Sequence, residues 1–279
     1  VRLVARAQEI GPGEIPPQVR LTVVSETAPR QGREVFTGGL GNRFLDSPSA
    51  IGRVHRTTDH RLRMRLSAAE TRDPNGRPLR FVWKVLRGDA ERIRIEPLDE
   101  AGRVVDVSIP WHAPYPVPGR EDLETHRVDI GVFADNGAEL SAPAFLSVAY
   151  PPNQTRRYDD AGRVRRITYA APGEAGRYAD PKLFLRQGWT DSYAYASNGT
   201  PLGWTRTYED GRQESYTVHG HRVLGRDAAG RPATAEAVRY VSRQASGQVI
   251  TVDVEPTGQR LAYRYADEGD RTGFAVPAP

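Results

Sequence analysis

An all-β fold follows from three features of this chain. Glycine and proline are abundant, at 27 and 22 of 279 residues, which suits many turns better than long helices. Apolar and polar side chains alternate with a period of two in several short runs, the pattern of a strand with one buried and one wet face. Asx and glycine residues punctuate those runs where a hairpin needs them. The length is enough for two ordinary domains, each with its own core.

Taken in order, residues 1–17 read as an arm or linker, because Gly11-Pro-Gly-Glu-Ile-Pro-Pro17 holds neither a helix nor a central strand. Gln18–Ser25 alternates and is β-branched, a first strand. Residues 26–60 are irregular around the glycine-rich Thr37–Asn42. A connection of that length in a compact module either packs on it or serves function. Leu62, Met64 and Leu66 then face one way and Arg61, Arg63 and Arg65 the other. The turn Asp73-Pro-Asn-Gly76 leads to Leu79, Phe81, Trp83 and Val85, which repeat the alternation with Trp83 in the core. Glu91–Pro97 and Arg103–Ile109 are shorter strands joined by Asp99-Glu-Ala-Gly-Arg103. Pro110–Pro118 is a proline-rich loop that presents Trp111 and Tyr115. Val128, Ile130 and Val132, the turn Asp135-Asn-Gly137 and the run Ser141–Tyr150 complete about seven strands, a β-sandwich over 18–152.

The texture changes after Pro152. Ten of the twelve tyrosines lie beyond it, and Asx/Gly turns recur at Tyr158–Val164, Tyr195–Thr200, Tyr208–Arg212, Asp227–Arg231 and Glu255–Arg260. Between them lie alternating segments such as Arg165–Tyr169 and Gln248–Val254. Successive hairpins of this kind make an antiparallel β meander over 153–279.

The order of the first half resembles a PKD-type, Ig-like β-sandwich over about residues 61–150. It rests on a strand, the Asp73–Gly76 turn, a strand with Trp83, then a strand, the Asp135–Gly137 turn and a strand. The chain departs from the Trp-Asp-Phe-Gly-Asp-Gly run typical of that family, carrying Trp83-Lys-Val-Leu-Arg-Gly-Asp89 instead, so no family ligand is carried over. The resemblance implies an accessory module of a secreted or surface bacterial protein, one that binds, spaces or assembles. Such modules also occur appended to secreted hydrolases. Tyr158–Val164 is similar to the YD-repeat hairpins of large bacterial surface and toxin-delivery shells, although no regular repeat period follows it.

Two constellations are candidate sites. If the turns after the second strand and before the last lie at one end, as in a PKD-like sandwich, Asp73, Asn75, Asp135 and Asn136 supply oxygens to a calcium ion. The same residues are what tight turns require in any case. In the meander, Trp189, Tyr193, Tyr195 and Trp204 form a platform for sugar rings, with Asp191 and Arg206 bonding the hydroxyls. Cross-strand ring pairs within a sheet account for the same spacing. His219 and His221 share a strand face as a metal pair without a third ligand.

Composition narrows the function. There is no cysteine, so no disulfide and no cysteine-ligated metal or cluster. Net charge is +4, and the basic residues, all arginine but Lys84 and Lys182, are scattered among 35 acids, which argues against a nucleic-acid partner. No apolar run is long enough to span a membrane. The first residues are too charged for a signal peptide, so either a signal has been removed or the chain is a piece of something longer. No nucleophile-elbow, zincin or phosphate-loop motif is present. The expectation is a non-catalytic, carbohydrate-directed binding or adhesion module, extracellular, at the cell surface or periplasmic, with calcium as the one cofactor candidate. The alternatives are a structural subunit whose partner is another chain of a surface assembly, and the accessory region of a secreted hydrolase.

Overall fold

The computed structural model describes residues 11–36, 41–169, 179–180, 187–244 and 250–278. Most of the expected arm at 1–17, the glycines of the 37–42 segment up to residue 40, and Gln248 and Val249 of an expected strand lie outside these. The chain is all-β, as its periodicity requires; the described residues add one short 3₁₀ turn at Pro12–Glu14.

Among the described residues the first half supplies eleven strands. They are β1 (Thr22–Glu26), β2 (Arg43–Ser47), β3 (Ala50–Val54), β4 (Arg61–Ser67), β5 (Arg80–Arg87) and β6 (Arg94–Pro97). Then come β7 (Val104–Pro110), β8 (Tyr115–Val117), β9 (Arg120–Thr125), β10 (Arg127–Asp135) and β11 (Ala144–Ala149). One sheet runs β1-β4-β7-β6 and a second runs β2-β3-β11-β10-β5, with β8 and β9 as a separate hairpin. Every pairing is antiparallel except β3 with β11. The inward rows of the two sheets share one core: Leu62, Met64 and Leu66 of β4, Val105, Val107 and Ile109 of β7, Val128, Ile130 and Val132 of β10, and Leu146 and Val148 of β11. This is a sandwich-like packing of two faces, each contributing every second residue. Trp83 is half-buried against that core and donates its indole N–H to the Gly102 carbonyl at 2.9 Å.

Among the described residues the second half supplies nine strands in one sheet, in chain order and antiparallel throughout. These are β12 (Gln154–Tyr158), β13 (Val164–Tyr169), β14 (Trp189–Tyr195), β15 (Pro201–Tyr208) and β16 (Gln213–Tyr216). They continue as β17 (Arg222–Arg226), β18 (Pro232–Gln244), β19 (Ile250–Arg264) and β20 (Phe274–Pro277). The Asp-x-x-Gly-Arg sequence is one turn used twice here. The Asp159 carboxylate accepts the amides of Ala161 and Arg163 and pairs with the Arg163 guanidinium at 2.9 Å, while Gly162 takes a φ of +73°. Asp227, Ala229, Gly230 and Arg231 repeat every one of these contacts. An aspartate that caps its own turn, a glycine free to be left-handed and an arginine four residues on make the reversal self-sufficient.

The connection between β1 and β4 does not pack on the sandwich alone. It forms the hairpin β2–β3, and its Arg30–Phe36 stretch crosses to the meander. Phe36 is 5% exposed and meets Tyr169 of β13, Trp189 of β14 and Tyr240 of β18, with ring centroids 4.7–5.8 Å away. Strands β14 and β18 are four apart in the sheet, yet Trp189 and Tyr240 lie 6.4 Å from each other. The nine-stranded sheet therefore curls, and Phe36 fills the hollow of the curl. Tyr240 also donates its hydroxyl to the Gly32 carbonyl at 3.3 Å, and a Cβ on Gly220 would meet that same oxygen at 3.1 Å.

A second joint forms around Arg156 of β12, which is 8% exposed. Its guanidinium donates to the carbonyls of His55, Arg56 and Thr57, and lies 4.0 Å over the Trp111 ring. Trp111, expected on a presented loop, is thus buried at this seam, its ring under the Arg156 cation and against His55, His126 and Tyr150. Tyr115 is half-buried and bonds the Arg127 carbonyl at 2.7 Å.

Candidate functional site

The six residues expected to form a sugar platform do share one face, but it is the inner face of the curl. In the β14–β15 register Tyr193 pairs with Trp204 and Asp191 with Arg206. Trp189, Tyr193 and Trp204 are 3%, 5% and 3% exposed, and Asp191 and Arg206 are fully buried. Tyr195 is half-buried beneath the guanidiniums of Arg163 and Arg165. No flat face is offered to a pyranose, so the platform expectation is corrected. A period of two says which residues share a face; it does not say whether another segment covers that face, and here Phe36 does.

At the centre of this core sits the Arg206–Asp191 pair. Both guanidinium–carboxylate hydrogen bonds measure 2.8 Å. The guanidinium also lies 4.0 Å over Trp189 and 4.9 Å over Tyr216, so its faces meet π electrons while its edge meets the carboxylate. Burial works against the charge on Arg206, yet the adjacent Asp191 holds its pKa well above the ordinary value. Trp204 stacks on Tyr216 at 5.3 Å with the planes 7° apart. Gly203 permits this close approach, with a φ of +107° and no room for a Cβ, which would stand 2.0 Å from the Tyr216 carbonyl oxygen.

The two Asx turns of the sandwich do meet at one end, through a direct bond rather than a shared cation. Asn136 donates its side-chain N–H to Asp73 at 2.7 Å, and the other Asp73 oxygen accepts the amides of Asn75 and Arg77. The Asn136 oxygen accepts the amides of Ala138 and Glu139, and Asp135 accepts that of Gly137. These contacts, the Asn136 bond foremost, hold the Asp73 carboxyl below its usual range. An amide nitrogen aimed at the carboxylate stands where a cation would need an oxygen. Turn chemistry thus accounts for these oxygens, and among the described residues no three His, Cys, Asp or Glu side chains are grouped for a metal. His219 and His221 are also engaged separately, His221 with the Tyr263 hydroxyl at 2.9 Å and His219 with the Gly273 carbonyl at 3.3 Å.

A third cluster has no local pattern in the sequence, because its members are scattered. His55 and His126 are fully buried and His112 is 3% exposed, all packed on Tyr150 at the seam beneath Arg156. His112 donates from Nδ1 to the Pro110 carbonyl and accepts the Asp89 amide on Nε2, the pattern of a neutral ring. His126 donates from Nε2 to the His112 carbonyl and His55 from Nε2 to the Asp59 carbonyl; neither Nδ1 has a partner. Burial first, reinforced by Arg156, lowers the His126 pKa to about 4 and that of His55 well below the ordinary value.

One surface feature is available to a partner. The outer face of the five-stranded sheet carries Phe44, Leu45, Val82, Leu86 and Phe145, exposed by 52%, 48%, 38%, 49% and 38%. Glycines let these side chains lie low. A Cβ on Gly131 would strike Leu86 at 2.8 Å, and one on Gly52 would crowd Phe44 and Leu45 at 3.2 Å. Apolar side chains gathered on one face mark a contact surface more often than scattered ones do.

No protein-family model, curated protein or solved structure matches this chain.

Two outcomes follow from these buried charges. Arg206→Met alone should cost about 3–5 kcal/mol in chemical denaturation, because it strands a buried carboxylate, and adding Asp191→Leu should recover most of it. A single-variant loss below about 1 kcal/mol would contradict the buried pair. The histidines fold with lowered pKa values, so the unfolded chain takes up protons that the native state refuses. Stability is then complete above about pH 6.5 and falls as the pH drops toward about 4. Unfolding temperatures measured between about pH 6.5 and 5, above the carboxylate range, should decline, and less so for His126→Gln. A flat profile would show that these rings are not held neutral.

Proposed function

We propose that this chain is a non-catalytic structural module of a larger surface or extracellular assembly, joined to its neighbour through the outer face of the five-stranded sheet. The observation that carries this reading is the set of exposed apolar side chains on that face, together with the burial of the meander's rings. The carbohydrate-directed reading expected those rings in solvent; the core uses them instead. Strand order supports the module type. The sheet β1-β4-β7-β6 facing β5-β10-β11 has the order of an immunoglobulin-type sandwich, in keeping with the PKD-like resemblance. Location outside the cytoplasm is carried over from that resemblance alone.

The neighbour is a second copy of the chain. On this face Arg80 of β5 is in register with Asp135 of β10 and Lys84 with Gly131, while Asp129 pairs with Arg87 at 3.2 Å. A face with both signs of charge and an apolar centre is self-complementary across a two-fold axis. Sedimentation velocity over the micromolar range should show a dimer that Leu86→Lys with Phe145→Lys converts to monomer, with the unfolding temperature unchanged. A wild-type chain that stays monomeric throughout, or a dimer indifferent to both substitutions, would remove this face from the account.

A further inference from the structure

The opposite side of the sandwich carries a feature of different chemistry. Arg63 of β4 and Arg94 of β6 are both in register with Ser108 of β7, so they flank that residue from either side of the middle strand. Arg61 lies two residues along β4 on the same outward face. It donates from Nε to the Ser108 hydroxyl oxygen at 2.7 Å, and from Nη2 to the carbonyls of Ser108 at 3.1 Å and Arg92 at 2.9 Å. Arg61 thus holds the Ser108 hydroxyl oxygen, and Arg63 and Arg94, its register partners on either side, line the same groove. The groove they line holds about 520 Å³ and reaches from Ser25 and Thr27 across β4 and β7 to β6.

Its charges are unbalanced in a specific way. Arg65 is paired with Asp106 through two bonds of 2.8 Å, and Glu26 is committed to Arg53. Among the described residues neither Arg63 nor Arg94 has an acidic partner. Besides burial, the positive charges of Arg94, Arg63 and Arg92 press the Arg61 pKa down, a mark of like charges held close together. Like charges facing each other on a sheet are unfavourable unless something neutralises them.

We propose that this groove binds an acidic polysaccharide, with a carboxylate or sulfate of the glycan seated among Arg61, Arg63 and Arg94 over the Ser108 hydroxyl. The planar guanidinium fork matches either oxyanion with paired hydrogen bonds. The other end of the groove carries Ser25, Glu96 and the Arg65–Asp106 pair, donors and acceptors suited to sugar hydroxyls. The groove's lining contains no aromatic ring on which a nucleic-acid base could stack. The carbohydrate class expected from the sequence thus returns on another face and through charge instead of ring stacking. This site lies on the other sheet from the dimer face, so either can fail without the other.

Titration calorimetry of the full chain against polygalacturonate, heparin, neutral dextran and duplex DNA, at low and physiological salt, tests it. Binding of polygalacturonate or heparin, falling with salt, is expected, with dextran inert; binding of polygalacturonate shows that a carboxylate suffices, whereas binding of heparin alone shows that sulfate is required. Arg63→Ala with Arg94→Ala should weaken that binding at least about tenfold and leave the unfolding temperature unchanged. Arg239→Ala with Arg243→Ala, which removes two exposed arginines from the meander, should have little effect. The proposal is overturned by failure of both acidic glycans to bind, by equal losses in the two double variants, or by duplex DNA binding more tightly than either glycan.

Discussion

A guanidinium that is 8% exposed must find hydrogen-bond acceptors within the protein, and Arg156 finds them on the far side of a domain seam. It belongs to the first strand of the meander, yet it donates to the backbone of residues 55–57, which end the hairpin of the sandwich. Removing those carbonyls would strand a buried cation, at a cost far above that of an ordinary surface contact. Several other features depend on that constraint. Trp111 is drawn inward as the platform for the cation, and the charge above them helps to keep His55 and His126 neutral. Asp180 reinforces the same seam by accepting the Thr125 hydroxyl and the His126 amide.

The second tie, Phe36, works by shape. A nine-stranded sheet with no covering layer would leave one apolar face wet, and single sheets seldom tolerate that. Curling brings β14 and β18 toward each other, and one phenylalanine from the other unit fills the space between them. Arg206 and Asp191 can then be buried together, since each satisfies the other and the surrounding rings accept the cation's faces. The two halves of the chain therefore share a core element, although each has its own sheets. With the rings enclosed, the sandwich still presents an apolar face on one sheet and a basic groove on the other.

Local physics made much of this legible in the sequence. The alternation of Leu62, Met64 and Leu66 with three arginines gave the strand, its buried face and, unrecognised, the wall of the basic groove. The Asp-x-x-Gly-Arg runs gave the meander's turns because each carries its own cap, glycine and counter-charge. Even the meeting of the Asp73 and Asn136 turns was readable, though the direct bond between them was not. What stayed hidden depends on partners distant in sequence. Strand β3 pairs in parallel with β11, a neighbour that no local pattern announces. The inward fate of Trp189 required knowing that Phe36, in a connection that looks irregular, would cover it. The histidine cluster draws together residues 55, 112 and 126, which are far apart in sequence although all lie in the sandwich.

The central claim is that the two β units form one body through the Arg156 and Phe36 ties. Differential scanning calorimetry of the wild-type chain and of Arg156→Ala tests it most directly. One transition with matching calorimetric and van't Hoff enthalpies is expected for the wild type, separating into two in the variant as the units melt independently. Two transitions already in the wild type, or a variant trace identical to it, would contradict the claim.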